Sequence, residues 1–125
     1  MTAAPEPLFI DIDERRLFGL YHTADTDIRG TVLLLPPFAE EMNMSRRMTY
    51  LTGRALAAAG YGCLTLDLTG TGESSGEFAE ARWEIWQDDA RTAAAWLAKK
   101  TGQTPLFLGL RAGALLAAAS SNPDR

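Results

Sequence analysis

One pentapeptide has the spacing that could present a nucleophile, Gly109-Leu110-Arg111-Ala112-Gly113. It follows the apolar run 106–108, typical of a buried strand, and precedes an Ala- and Leu-rich segment with strong helix propensity. Two glycines flanking one residue at such a junction are the pattern of a nucleophile elbow, in which only small residues fit beside the displayed side chain. The displayed residue here is Arg111, whose guanidinium stays protonated and cannot act as a nucleophile. The alternative is that Gly109 and Gly113 are ordinary turn and packing glycines.

Composition limits the classes of protein to consider. The 125 residues suit one domain at most, and a hydrophobic content of 46% predicts a packed core. A net charge of −4 argues against nucleic acid as a partner. Pro36-Pro37 and charged residues interrupt the apolar runs, which predicts no membrane span. Because residues 1–7 lack the basic flank and apolar run of a signal peptide, we expect a cytoplasmic protein. We also expect neither a metal nor a cofactor.

Short apolar runs predict the strands. Residues 7–12 and 16–21 predict an antiparallel hairpin, because a polar tripeptide separates two β-type runs. The continuous runs 31–35, 61–66 and 106–108 are typical of strands covered on both faces. The single cysteine, at position 63, falls within such a run and is expected in the core.

Helices are predicted between these strands. The first runs from an N-cap at Ser45 to residue 59, after a loop at 38–44. Its apolar face is predicted to hold four residues, namely Met48, Leu51, Ala55 and Ala58. A longer helix is predicted from about residue 78 to residue 100. The order β-β-β-α-β-α-β-α therefore predicts a doubly wound, mostly parallel α/β sheet.

A glycine loop follows the predicted strand 61–66. It carries Asp67, Gly70, Gly72, Ser74 and Gly76. A nucleotide-binding α/β domain is one alternative, although the loop does not match the dinucleotide fingerprint and follows the second parallel strand. The hydroxyl of Ser74 is expected to hydrogen-bond within the loop rather than to act as a nucleophile.

Three segments together resemble the N-terminal half of the α/β-hydrolase fold: Pro36-Pro37-Phe38, the loop 67–76 and the pentapeptide 109–113. The resemblance covers residues 8–119. It implies that backbone amides of Phe38 and Ala112 form the oxyanion hole, since Pro37 has no N–H to donate.

The chain also resembles one family within that superfamily, the exosortase A system-associated hydrolase 2. The resemblance rests on three blocks: residues 36–48 (Pro-Pro-Phe-Ala-Glu-Glu-Met-Asn-x-Ser-Arg-Arg-Met), residues 81–89 (Ala-Arg-Trp-x-Ile-Trp-x-Asp-Asp) and residues 109–116. It implies that arginine at the elbow is usual in this family, whose genes lie among exopolysaccharide and exosortase loci.

A catalytic triad is not complete in this sequence. In α/β-hydrolases the acid and the histidine follow the nucleophile, and no histidine follows Arg111 here. We therefore expect residues 1–125 to be a single partial α/β-hydrolase domain, a fragment that is a pseudoenzyme as it stands. The alternative is an ester or thioester hydrolase whose acid and histidine lie in a missing C-terminal half. The oligomeric state stays open.

Charged residues near the predicted elbow suggest a ligand. In one hypothesis Arg111 pairs with Glu40 or Glu41, because a buried arginine needs an anion. In the other, Arg46, Arg47 and Arg111 form a basic pocket for a small anionic or acyl ligand, such as a carboxylate or a phosphate.

Two further expectations concern residues outside that pocket. The only histidine, His22, is expected at the surface or as a cap. Asp88 and Asp89 are expected to diverge by ~100° on their helix, and to be solvated or paired with Arg82 and Arg91.

Overall fold

A computed structural model describes residues 5–12, 15–25, 27–35, 41–69, 74, 83–109 and 113–120, with side chains described from residue 47 onward in the first helix. The strands in these ranges are β1 (Glu6–Ile12), β2 (Arg15–His22), β3 (Gly30–Leu35), β4 (Tyr61–Leu66) and β5 (Leu106–Gly109). The helices are α1 (Glu41–Ala58), α2 (Trp83–Thr101) and α3 (Gly113–Ser120). None of these described helices combines the length and apolar character needed to cross a membrane.

The strands form one mixed sheet in the order β1-β2-β4-β3-β5. The hairpin β1–β2 joins it through an antiparallel pairing of β2 with β4, whereas β3 is parallel to both β4 and β5. Because β4 and β5 flank β3, the chain winds in both directions from β3, as a doubly wound sheet requires. The predicted fold class is confirmed. The carboxyl ends of the three parallel strands lie at one edge, which we call the carboxyl edge.

The two faces of the sheet carry different cores. Leu33 and Leu35 point to the face covered by α2 and α3, where most buried apolar side chains cluster. Val32 and Leu34 alternate to the opposite face, where with Cys63 they form a smaller cluster beneath α1. Burial raises the pKa of the Cys63 thiol to about 12, which keeps it protonated and unreactive.

The first helix differs from its prediction at its start and in its buried face. It begins at Glu41 rather than after Ser45, so part of the predicted loop is helical. Met48 and Leu51 are 64% and 50% exposed, and Ala55 and Ala58 are exposed as well.

The buried face of α1 consists of small residues instead. Thr49, Gly53 and Ala57 face the sheet at a spacing of four residues. A Cβ added to Gly53 would lie 2.7 Å from Nε2 of His22, so the helix backbone lies close against the sheet there. The helix stops as predicted, because Gly60 adopts a φ of 98° after it.

Strand β5 is less covered than its apolar sequence predicts. Leu106 is 65% exposed and Leu108 is 38% exposed, while Phe107 packs against the larger core. The reason is that β5 pairs only with β3 within the described residues, and α1 lies over β4 and β2. The sequence places the start of α2 at about residue 78, in a stretch outside the described residues; the described helix begins at Trp83.

Candidate functional site

Three loops leave the sheet at the carboxyl edge, after β3, β4 and β5. In doubly wound sheets this edge is where ligands bind, at the point where strand order reverses. Many of the predicted site residues lie outside the described residues, and their roles stay predictions: Phe38, Glu40, Gly70, Gly72, Gly76, Arg111 and Ala112, with the side chains of Glu41 and Arg46.

The junction between β5 and α3 is tight. The strand ends at Gly109 and the helix begins at Gly113, which is buried. A Cβ built on Gly109 would overlap backbone atoms of Gly113 and Ala114. No rotamer change relieves an overlap with backbone, so only glycine fits at position 109. This close approach is the property that a nucleophile elbow requires.

The loop after β4 is fixed at its start by Thr69, because each of its polar groups has a side-chain partner. The amide donates to Oδ2 of Asp89 (2.8 Å), and the hydroxyl accepts from Nε of Arg15 (3.2 Å). The carbonyl accepts from Nε1 of Trp86 (2.9 Å). Three side chains from two distant elements, β2 and α2, therefore hold one loop residue.

Ser74 ties the far part of the same loop to the hairpin. Its hydroxyl donates to the carbonyl of Asp67 (2.6 Å) and accepts from the amide of Phe18 (2.8 Å). The amide of Asp67 in turn donates to the carbonyl of Phe18 (2.9 Å). A hydroxyl engaged in this way shapes the loop and is poorly suited to nucleophilic attack.

Asp89 differs from its prediction. It is 0% exposed and forms an ion pair with Arg15, at 3.0 Å between Oδ1 and Nη2, instead of facing solvent. Arg82, one of its predicted partners, lies outside the described residues. Asp88 is exposed, so the two carboxylates do diverge around the helix. Asp89 lies on the buried stripe of α2, and this position is the signal that could have revealed it.

A family model for serine aminopeptidase, S33, matches residues 26–122. This chain belongs to that family. The matched segment runs from the loop before β3 through α3, so it includes the β5–α3 junction and Asp89, whereas β1 and β2 precede it. A search of curated proteins finds no match.

Solved structures support the same fold for this S33 family member. The lidless α/β serine hydrolase XC6422 from Xanthomonas campestris matches with a TM-score of 0.73 and 22% identity, over 97% of this chain and 59% of that one. An α/β serine hydrolase homologue from Coxiella burnetii matches with a TM-score of 0.78 and 14% identity, over 97% of this chain and 59% of that one. Est1E from Butyrivibrio proteoclasticus, solved with ferulic acid, matches with a TM-score of 0.77 and 17% identity, over 91% of this chain and 46% of that one. The chain thus spans about half the length of these structures.

The histidine of this S33 family member is not at the surface, contrary to the sequence prediction. His22 is 2% exposed beneath α1, with its ring 5.5 Å from that of Tyr50. Burial, and then the charge of Arg54, lower the pKa of His22, so the ring is neutral near pH 7. It pairs in register with Cys63, whereas Gly19 pairs with Leu66 at the carboxyl edge. His22 therefore lies away from the elbow and is not placed as its base.

The remaining predicted residues add little to the described site. Arg47 is exposed on α1, and its part in a ligand site stays a prediction. Within the ranges described, no group of three His, Cys, Asp or Glu side chains could hold a metal ion.

Proposed function

We propose that this chain is a non-catalytic, ligand-binding member of the S33 family, of the type found with exosortase and exopolysaccharide genes. The observation that supports it most is the backbone contact between Gly109 and Gly113, since a junction of this kind displays the residue between them. That residue is Arg111, which can bind an anion but cannot attack an acyl carbon. The resemblance of residues 36–48, 81–89 and 109–116 supports the finer subfamily.

The chemistry of the proposed site favours a small anionic or acyl ligand. A guanidinium presents a planar fork of donors that suits carboxylate and phosphate oxygens. In this proposal the amides of Phe38 and Ala112 add donors of the kind that an oxyanion hole supplies. Glu40 or Glu41 would pair with Arg111 when no ligand is bound, and Arg46 and Arg47 would add positive charge nearby.

An ester or thioester hydrolase is the second candidate. Membership of the serine aminopeptidase S33 family favours it, as do similar solved structures, which include a monoglyceride lipase and a thioesterase domain. This candidate needs a nucleophile other than Arg111, and an acid and a histidine beyond residue 125. A nucleotide-binding domain is the weakest candidate, because the glycine loop follows the second parallel strand and dinucleotides bind after the first.

Anion binding tests the proposal directly. Inorganic phosphate and butyrate would be titrated calorimetrically into the wild type, into Arg111→Ala and into Arg29→Ala. Arg29 is the matched control, because it is exposed and precedes β3 at the sheet edge opposite the elbow. We expect Arg111→Ala to weaken binding about tenfold or more, as the loss of a charge-assisted hydrogen bond would. Equal weakening by both substitutions would contradict a site at Arg111.

Ester hydrolysis separates the two leading candidates. The wild type and Arg111→Ser would be assayed on p-nitrophenyl butyrate. Under the proposal, the wild type shows no turnover above the uncatalysed rate. Turnover by the wild type that Arg111→Ser leaves unchanged would favour the hydrolase candidate and place its chemistry away from the elbow.

A further inference from the structure

We infer that Asp89 is a positioning residue, which with Arg15 and Trp86 fixes the start of the loop after β4 beside the proposed ligand site. The three side chains around Thr69 are called here the Thr69 clamp, namely Arg15, Trp86 and Asp89. The link to ligand binding rests on the proposed function, whereas the clamp itself rests on the contacts of the described residues.

The burial of Asp89 argues for a specific role. A carboxylate that is 0% exposed is unfavourable unless its oxygens are satisfied, and here each oxygen has a different partner. One oxygen accepts from Arg15 and the other accepts from the amide of Thr69. Asp89 therefore joins strand β2, helix α2 and the start of the loop through one side chain.

The position of the loop connects the clamp to the ligand site. Thr69 is three residues beyond Leu66, the last residue of β4, and β4 ends at the same edge as β3 and β5. Because the loop starts at this edge, a change in the backbone conformation of Thr69 would change the position of loop residues that border the proposed ligand site. Ser74 and Phe18 hold a second point of the loop, so the hairpin contacts the loop at both Thr69 and Ser74.

The hairpin precedes the segment that matches the family model, which begins at residue 26. Arg15 nevertheless makes two of the hydrogen bonds within the clamp, one to Asp89 and one to the hydroxyl of Thr69. Strand β2 therefore has a role beyond completing the sheet. It carries the cation that pairs with the buried carboxylate of Asp89.

Amide hydrogen exchange, measured by NMR on the ligand-free protein, tests the clamp without knowledge of a ligand. Asp89→Asn keeps the side-chain shape but turns one acceptor into a donor facing either Arg15 or the Thr69 amide. We expect exchange at the Thr69 amide to accelerate about tenfold or more, while amides of β3 change much less. Asp88→Asn, at the exposed neighbour, is the matched control and should leave both sets unchanged.

Two further variants keep the inference testable if Asp89→Asn does not fold. Trp86→Phe removes the donor to the Thr69 carbonyl together with part of a buried ring, and should also accelerate exchange at the Thr69 amide more than in β3. Arg15→Lys retains the positive charge but loses the second bond of the guanidinium, so its effect should be intermediate. If amide exchange at Thr69 accelerates by no more than the factor seen in β3, the clamp contributes only to overall stability, and the inference is overturned.

Phosphate titration of the same variants then tests the link to the ligand site. We expect Asp89→Asn to weaken phosphate binding about tenfold, without removing any group that touches the anion. Unchanged affinity together with faster Thr69 exchange would overturn the link. If the wild type binds no phosphate, the proposed function fails, and the exchange measurement still decides the clamp.

Discussion

Two regions of the described structure contain buried polar atoms that differ in their hydrogen bonding. At the carboxyl edge, each polar group of Thr69 and each oxygen of Asp89 has a partner. Between α1 and the sheet, both ring nitrogens of His22 and Nε of Arg54 have none among the described residues. Similar degrees of burial therefore coexist with complete hydrogen bonding in one region and very little in the other.

The difference shows what holds each region in place. An unpaired buried donor or acceptor is unfavourable, so the α1 side depends on close apolar packing and on a neutral His22. The loop after β4 depends on directional bonds, which define one geometry rather than a range of packings. A precise geometry is useful at the edge where a ligand would bind. It is unnecessary beneath a helix whose role is to cover the sheet.

The largest expected effect comes from breaking the satisfied region. Asp89→Ala leaves Arg15 and the Thr69 amide without their acceptor, and should lower the free energy of unfolding by about 3 kcal/mol. His22→Leu removes two unpaired nitrogens and should be close to neutral. Urea denaturation of both variants measures the contrast. Equal losses of unfolding free energy in the two variants would show that hydrogen bonding does not stabilise one region more than the other.

A smaller loss is expected at the elbow. Gly109→Ala places a methyl group against the backbone of Gly113 and Ala114, so the junction must open, at about 2–3 kcal/mol. Gly102→Ala is the control, because its added Cβ meets nothing within 4 Å and suffers only from a φ of 75°. That strain is worth about 1 kcal/mol. A milder effect at Gly109 than at Gly102 would argue against an elbow.

The contact between α1 and His22 should respond next. Gly53→Ala brings a methyl group to 2.7 Å from Nε2 of His22, and should destabilise the protein. The expected loss is about 1–2 kcal/mol, because a ring can shift more readily than backbone. In a His22→Ala background the same substitution should be nearly neutral, which a double-mutant cycle by thermal denaturation would show. Additive losses would contradict a direct contact.

Acid should weaken the α1 side more gradually. The pKa of His22 is lower in the folded protein than its ordinary value of 6.5, through burial and the charge of Arg54. The unfolded chain therefore binds more protons in this range, and stability falls as the pH decreases below about 6.5. The neighbouring Cys63 thiol stays neutral there and does not offset the effect. Urea titrations from pH 7.5 to pH 4.5 should show a flatter dependence for His22→Leu; identical slopes would exclude His22 as the cause.

The smallest effect is expected at an exposed ion pair. Arg16 and Asp11 lie 3.0 Å apart on the hairpin, with side chains that are 60% and 70% exposed. Asp11→Asn should change stability by no more than about 0.5 kcal/mol, because solvent and salt screen the pair. A loss as large as that of Asp89→Ala would mean that burial does not separate the two ion pairs.

The strand and helix order was predictable because it depends on local patterns. Apolar runs of four to eight residues bounded by glycine and proline predicted β3 and β4 closely, and Gly60 and Gly102 marked the ends of helices as expected. The close contact between Gly109 and Gly113 was predictable as well, because the steric requirement at this junction depends on residues that are near in sequence. The fold class follows from these local features taken together.

The clamp and the buried face of α1 were not predictable in the same way. Arg15 meets Asp89 only through the pairing of β2 with β4, and a single sequence does not encode that register visibly. The apolar stripe of α1 predicted the wrong face because the helix packs on the side where Gly53 lies against His22, not where Met48 and Leu51 lie. His22 was misjudged for the same reason, since that approach is what buries it.

The sequence separation within the clamp has a consequence for how the protein folds. Arg15 and Asp89 are 74 residues apart, so their contact closes a long loop and requires β2, β4 and α2 to be in place first. Such a contact is expected to form after the rate-limiting step. Variants of the clamp should then speed unfolding and leave the folding rate nearly unchanged. The bonds that shape the loop after β4 would set how long the native state persists once it has formed.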